Sequence, residues 1–179
     1  MNFSDLEKNL AGSTGSNDDL FQAIVNAPFK YRVETALLFL GIIVLLLVNE
    51  KSGQIERVAL SKTELADNTK KVSMLSFEEI TIPLNNQENI IAKAINSGKP
   101  QDTTDWKYLF TPALTPEQAR INQASGGIAY SAVYPFQARQ GGALIFSYFQ
   151  YLNQIGPLQT EFMEKYLAMV EKSLRASIE

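Results

Sequence analysis

Residues 102–106 read Asp-Thr-Thr-Asp-Trp, and this short run is the densest grouping of chemistry-bearing side chains in the chain. A tryptophan offers a stacking face, and a carboxylate beside it offers a fixed acceptor, which together suit the wall of a small-molecule pocket. Asp102, Thr104, Asp105, Trp106 and the nearby Phe110 are therefore candidate binding residues. The competing structural account is that Trp106 seals the edge of a core while Asp105 caps the turn into Lys107–Phe110. Tyr130 and Tyr134 are the second candidate group. They lie two pleats apart in an alternating stretch, so both hydroxyls can face one cavity, or both rings can be core with the hydroxyl at the rim. Glu78 and Glu79 are neighbours on an expected strand and face opposite ways, so they cannot share a proton. The pairs Gly126-Gly127 and Gly141-Gly142 lack the spacing and the lysine of a phosphate-binding loop and read as turn glycines.

Two absences narrow the chemistry further. The 179 residues contain no cysteine and no histidine. Thiolate nucleophiles, disulfides, imidazole bases and the usual zinc ligand sets are thereby excluded, so no metal site is expected. A carboxylate or lysine remains available, with Asp105 the first candidate, but the balance is against an enzyme. Sixteen basic residues against nineteen acidic ones give a net charge of −3, and the longest basic run is Lys70-Lys71. Nucleic acid is not an expected partner. The acidic N-terminus does not resemble a signal peptide, and the lack of disulfides fits a cytoplasmic location.

The elements that must position these residues follow from periodicity. Residues 1–19 are expected to be a flexible extension, with Leu10–Asp19 as a linker, and residues 20–179 to form one domain. A helix through Asn26 carries Leu20, Phe21, Ile24 and Val25 on one face, and a second helical stretch runs over Phe29–Leu40. The run Ala36–Val48, ALLFLGIIVLLLV, has thirteen residues without a polar side chain. As one helix it would rise only about 20 Å, short of the roughly 30 Å hydrocarbon core. The better reading divides it: Ala36–Leu40 ends a helix, and Ile42–Val48 is the first arm of a hairpin turning at Asn49–Gly53. Its partner alternates Ile55, Arg57, Ala59 and Ser61 against Gln54, Glu56, Val58 and Leu60. A strand apolar on both sides belongs in the middle of a sheet covered on both faces.

Farther along, Ser76–Leu84 suggests a short strand, and Glu88–Ser97 a helix ended by Gly98. Lys99–Gln118 reads as a loop studded with aromatics, and Gly126–Leu152 contains a second hairpin turning near Gln140–Gly142. The last helix is opened by Gly156-Pro157 and carries Leu158, Phe162, Tyr166, Met169 and Val170 at helical spacing. The order predicts an α+β fold with a largely antiparallel sheet.

Three stretches resemble a GAF domain, the small-molecule-sensing fold related to PAS domains: VLLLVNEKSGQIERVAL, ENIIAKAINSGKPQDTTDW, and the second hairpin with its following helix, IAYSAVYPF through MVEKSL. The middle one ends in a small-Gly-basic-Pro turn followed by aspartates, and the last has the apolar-Pro-apolar arm Tyr134-Pro135-Phe136. The likeness spans residues 28–176. It implies a central antiparallel sheet with the terminal helices on one face and a ligand cavity enclosed on the other. Attached bilin and methionine sulfoxide reduction need a cysteine in that family, haem needs a histidine, and the Asn-Lys-Phe-Asp-Glu pattern of cyclic-nucleotide-binding members is not recognisable. No cofactor is expected. What remains is a non-covalent small molecule, or none. The resemblance also implies a last helix that joins a two-fold bundle. With no output domain following Glu179, any signal would pass through association, as a homodimer or with a signalling protein. Two alternatives stay open: a degenerate GAF scaffold acting only as an interaction module, and a membrane-tethered sensor anchored by residues 33–48.

Overall fold

In the computed structural model, which describes residues 1–12, 15–149 and 155–177, the apolar run divides where its sequence suggests. Helix α3 (Arg32–Leu37) stops, Phe39 takes a positive φ of 56°, and strand β1 (Leu40–Asn49) begins. β1 pairs antiparallel with β2 (Gln54–Leu60) on one edge and with β6 (Gly142–Phe149) on the other. The order of the six-stranded antiparallel sheet is β3-β2-β1-β6-β5-β4, with β3 at Thr81–Pro83, β4 at Gln101–Thr103 and β5 at Ile128–Phe136. Residues Leu40 to Val48 of β1 are all buried. Ile42, Val44, Leu46 and Val48 enter one core, whereas Ile43, Leu45 and Leu47 enter the other. Each such side chain contributes about 1.5–3 kcal/mol by leaving water. No described helix is long and apolar enough to cross a membrane, and the anchor considered for residues 33–48 is this short helix and central strand.

The first core is closed by α1 (Phe3–Ala11), α2 (Asn17–Asn26) and α8 (Pro157–Ala176). Phe146 of β6 stands edge-on to Tyr134, Phe162 and Tyr166 at 5.9–6.4 Å, and the Tyr166 hydroxyl donates to the Ile24 carbonyl. Aromatic packing of this kind leaves this part of the face solid. α1 corrects the expected flexible extension. Asn2 caps it by accepting from the backbone N–H of Ser4 and Asp5, and Leu6 and Leu10 are buried in the core. Four-residue spacing puts both leucines on one face, and Phe3 packs against Phe162 at 6.3 Å, which together dock the helix. α2 likewise begins at Asn17, inside the expected linker, with Ser16 as its cap. Positions 13 and 14 lie outside the described residues. Leu158, expected on the apolar face of the last helix, is instead 69% exposed.

The second core lies under α4 (Glu64–Val72), α5 (Ile90–Ser97), α6 (Lys107–Phe110) and α7 (Pro116–Ser125). The expected aromatic loop 99–118 thus contains a strand, a short helix and the start of another. Thr115 caps α7 through its hydroxyl, with Pro116 in the first turn. Asn89 holds this layer together. Its buried Oδ1 accepts from Ile91 and Ala92 N–H at the start of α5, while Nδ2 donates to the carbonyls of Leu109 (2.6 Å) and Thr111 (3.0 Å).

The central pairing tolerates no added bulk at the start of β6. A Cβ on Gly142 would sit 2.1 Å from the Leu46 carbonyl oxygen and 2.7 Å from the Phe136 ring. Since the nearest atom is backbone of the central strand, relief requires the strands to part. Gly142→Ala is expected to lower stability by about 3 kcal/mol in urea unfolding, and a loss under about 0.5 kcal/mol would contradict this packing.

Candidate functional site

β3 pairs with β2 only at Gln54–Glu56, so the next residue, Arg57, lies beyond the end of the edge strand. A register shift between Leu45 and Leu46 places Arg57 opposite Leu46 and Ala59 opposite Leu45. The bulge breaks the alternation read from the sequence. Ile55 and Arg57 face the second core, while Ala59 turns to the first. The chain from α4 to β3 passes over Arg57 and lays Phe77 against it, with the guanidinium carbon 4.1 Å from the ring centroid. Phe110 lies on another side at 5.3 Å.

Around this side chain is a cavity of about 300 Å³, lined among others by Ser73, Leu75, Phe77, Ile80, Trp106 and Asn122. Its walls mix aromatic and aliphatic side chains with polar ones, Thr69, Lys70, Ser76 and Glu78 among them. Nε of Arg57 and Oγ of Ser73 are enclosed and make no hydrogen bond. No carboxylate among the described residues lies within ion-pair distance of Arg57; Glu78 is near enough only to attract it through space. Asn122 is buried, and its Oδ1 accepts from Gln118 Nε2 at 2.8 Å, which leaves its own Nδ2 uncommitted. Gln118 is oriented by the Val72 carbonyl, which accepts from the same nitrogen. Lys70, at the rim, is held by Asp67 at 2.9 Å. Burial lowers the Arg57 guanidinium to about 9, with Glu78 opposing. It therefore stays charged at neutral pH without a partner, and the open side of the cavity moderates a penalty that would be larger in a closed core.

The candidate residues read from the sequence fall into two groups. Trp106 and Phe110 line the Arg57 cavity. Trp106 is fixed there: its Nε1 donates to Ser131 Oγ (2.9 Å), its backbone N–H to Gln123 Oε1 (2.9 Å), and its ring stands edge-on to Phe110 at 5.2 Å. Asp105 points elsewhere and takes up the capping role. Arg120 donates to both of its oxygens at 2.8–3.3 Å, and the Lys107 N–H donates to Oδ1 at 3.0 Å. The hydrogen bonds from Arg120 hold its carboxyl below the usual carboxylate range. Thr104 is exposed, and its carbonyl accepts from Gln123 Nε2.

Asp102, Tyr130 and Tyr134 form the other group, on the opposite face of the sheet, where they line an open groove with Thr160 and Met163 of α8. Burial, and then the hydrogen bond and charge of Asp102, push the Tyr130 hydroxyl up; burial does the same to Tyr134. Trp106 and Tyr134 thus do not share a pocket. A bulge between Ile128 and Tyr130 contributes to this, since Ile128 enters the cavity-side core while the two tyrosines face the helices. A further hollow lies between α1, the start of α2 and the end of α8. Arg57 is the residue that the sequence reading missed as a site. Its signal was a lone cation sharing the expected inward face of β2 with Ile55.

With this geometry, the comparisons with known proteins are specific about fold. No protein-family model matches the sequence, and no curated protein matches it. Solved structures do. The phycocyanobilin-bound GAF domain of a cyanobacterial phytochrome superposes over 99% of this chain and 96% of its own, with TM-score 0.63 and 12% identity. The GAF domain of an Acinetobacter phosphoenolpyruvate-protein phosphotransferase covers 99% and 95%, with TM-score 0.60 and 11% identity. The free methionine-R-sulfoxide reductase of Neisseria meningitidis, solved with its substrate, covers 97% and 86%, with TM-score 0.60 and 14% identity. The chain has the GAF-domain fold. At these identities the likeness is one of architecture, and the same architecture carries a pigment-binding domain and an enzyme.

Two consequences can be measured. Replacing Arg57 by Met keeps the stem and removes an unpaired charge, so the variant is expected to be about 1–2 kcal/mol more stable than the wild type at pH 7. The folded value lies below the unfolded one, so the penalty is complete below about pH 9 and is relieved as pH rises above it. The gap between the two proteins must therefore narrow there; a variant less stable at pH 7 would contradict the unpaired state. For Asp105 the sign is opposite, because its lowered value stabilises the fold above the unfolded pKa. Arg120 is about half exposed, and screening limits the pair. Asp105→Asn is expected to cost about 0.5–1 kcal/mol at pH 7, a difference that shrinks as pH falls below about 3.9. A pH-independent difference in urea unfolding would assign the effect to the turn instead.

Proposed function

We propose that this chain is a non-catalytic sensory domain that binds a small molecule without a covalent bond, in the Arg57 cavity, and transmits occupancy through association. The observation that carries this reading is the cavity itself, unfilled and of mixed polarity. Its volume stands at the lower end of the roughly 300–1,000 Å³ range of small-molecule sites. Its walls come from the loop 73–80, from α6 and from α7, short elements whose arrangement a ligand could bias. Differential affinity for one arrangement is all that signalling requires.

The GAF fold supports the reading as an analogy, and the phytochrome domain named above is one neighbour with a pigment bound. With neither cysteine nor histidine in the sequence, thiolate attachment and imidazole ligation are unavailable to this chain. A homodimer, or a complex with a signalling protein, is the proposed output. Val33 and Leu37, each 70% exposed and one helical turn apart, give α3 an uncovered apolar side. Gln159 Nε2 donates to the Leu38 carbonyl and brings the start of α8, with exposed Leu158, against the end of α3. This surface also suits the second reading, an interaction module whose cavity has no occupant.

Native mass spectrometry separates the two. The purified protein is expected as a dimer that releases a small molecule on activation. Ser73→Phe, which fills the cavity without removing any hydrogen bond, is expected to remain folded and lose that mass. Wild-type protein that carries no small molecule, with a variant identical to it in every charge state, would favour the interaction module.

A further inference from the structure

The polar groups of the cavity specify the charge of its occupant, an inference that rests on the binding reading above. Arg57 presents a guanidinium whose Nε is enclosed without a hydrogen bond and which has no ion pair among the described residues; it lies against the rings of Phe77 and Phe110. A half-buried, unpaired cation is relieved by an anion, and a planar guanidinium fits a two-oxygen acceptor with two parallel N–H donors. Ser73 Oγ is enclosed and unpartnered in the same cavity, and Asn122 has a free amide donor. Arg57 and Asn122 thus offer N–H donors to an occupant, and the Ser73 hydroxyl can donate as well.

The balance of charge limits the anion. Among the described residues Arg57 is the one cation on the lining without a partner, Lys70 being held by Asp67, and Glu78 also lies on the lining. One free positive charge beside a carboxylate suits a monoanion and disfavours a phosphate dianion. The apolar part of the lining, Phe77, Phe110 and Trp106 with Leu75, Ile80 and Leu114, receives a compact apolar or aromatic body. We propose that the cavity binds a small monocarboxylate, its two oxygens paired with Arg57 and its apolar body packed against Phe77, Phe110 and Trp106.

The carboxylate and its uncharged amide form a matched test. Benzoate, benzamide and phenyl phosphate are titrated into the wild type by calorimetry, with emission from Trp106, the only tryptophan in the chain, recorded in parallel. Benzoate is expected to bind about 10- to 100-fold more tightly than benzamide, the range set by a charge-assisted pair, and to perturb Trp106. Arg57→Met is expected to bind the two alike, and Arg57→Lys to recover part of the preference. Equal binding of benzoate and benzamide by the wild type would overturn the carboxylate assignment and leave the cavity reading standing. Tighter binding of phenyl phosphate than of benzoate would overturn it in favour of a phosphate. If no probe binds and Trp106 is unmoved, the carboxylate assignment and the cavity reading beneath it both fail.

Discussion

β1 is hydrogen-bonded on both edges and apolar on both faces, and that double burial sets the plan of the molecule. A strand of this kind needs a layer of side chains above and below it, so the sheet separates two cores that share no side chain. On one side, helices of nine to twenty residues lay continuous apolar faces on the sheet, and Phe146, Phe162, Tyr166 and Tyr134 interlock there. On the other, the covering helices are only four to ten residues long and are joined by loops held through Asn89 and Gln118. Short elements tied by side-chain hydrogen bonds leave room between them, and the Arg57 cavity occupies that room.

Within this plan Arg57 departs from the pattern of apolar side chains turned inward and charges turned out. The bulge in β2 aims a cation into this layer, beyond the end of β3 where no described strand covers it. Ring faces attract the guanidinium, yet they do not replace hydrogen bonds. A fold that retains an unpaired charge at the expense of stability is a fold with a use for it, and such trade-offs are found at binding sites. The apparent alternative centre, Asp105, has the opposite character: its charge is matched by Arg120, and its hydrogen bonds are made within the protein.

Much of the architecture was legible because periodicity and turn chemistry agree. The two hairpins, the division of the apolar run, and the helix ended by Gly98 at a φ of 65° all follow from local residue types. Other parts were legible in principle. Thr115-Pro116-Glu117-Gln118 is a helix start inside what reads as an aromatic loop, and Leu6 with Leu10 marks α1 as a docked helix. The site was less accessible, because alternation cannot reveal a bulge. Shifting one residue in β2, and another before Tyr130, reassigns side chains between faces. Asp102, grouped with Trp106 from its place in the sequence, lies with Tyr130 and Tyr134 across a sheet that divides it from the tryptophan. Arg57, named only as a member of an alternating strand, went unrecognised as a site.

The central claim is that an anionic group in the second core pairs with Arg57. Its most direct measurement is the anomalous difference map of crystals soaked in 4-bromobenzoate. The account predicts a bromine peak between Phe77, Phe110 and Trp106, with carboxylate density within about 3 Å of the Arg57 guanidinium nitrogens. A bromine peak in the groove of Tyr130 and Tyr134, or a ligand whose carboxylate turns away from Arg57, would contradict it.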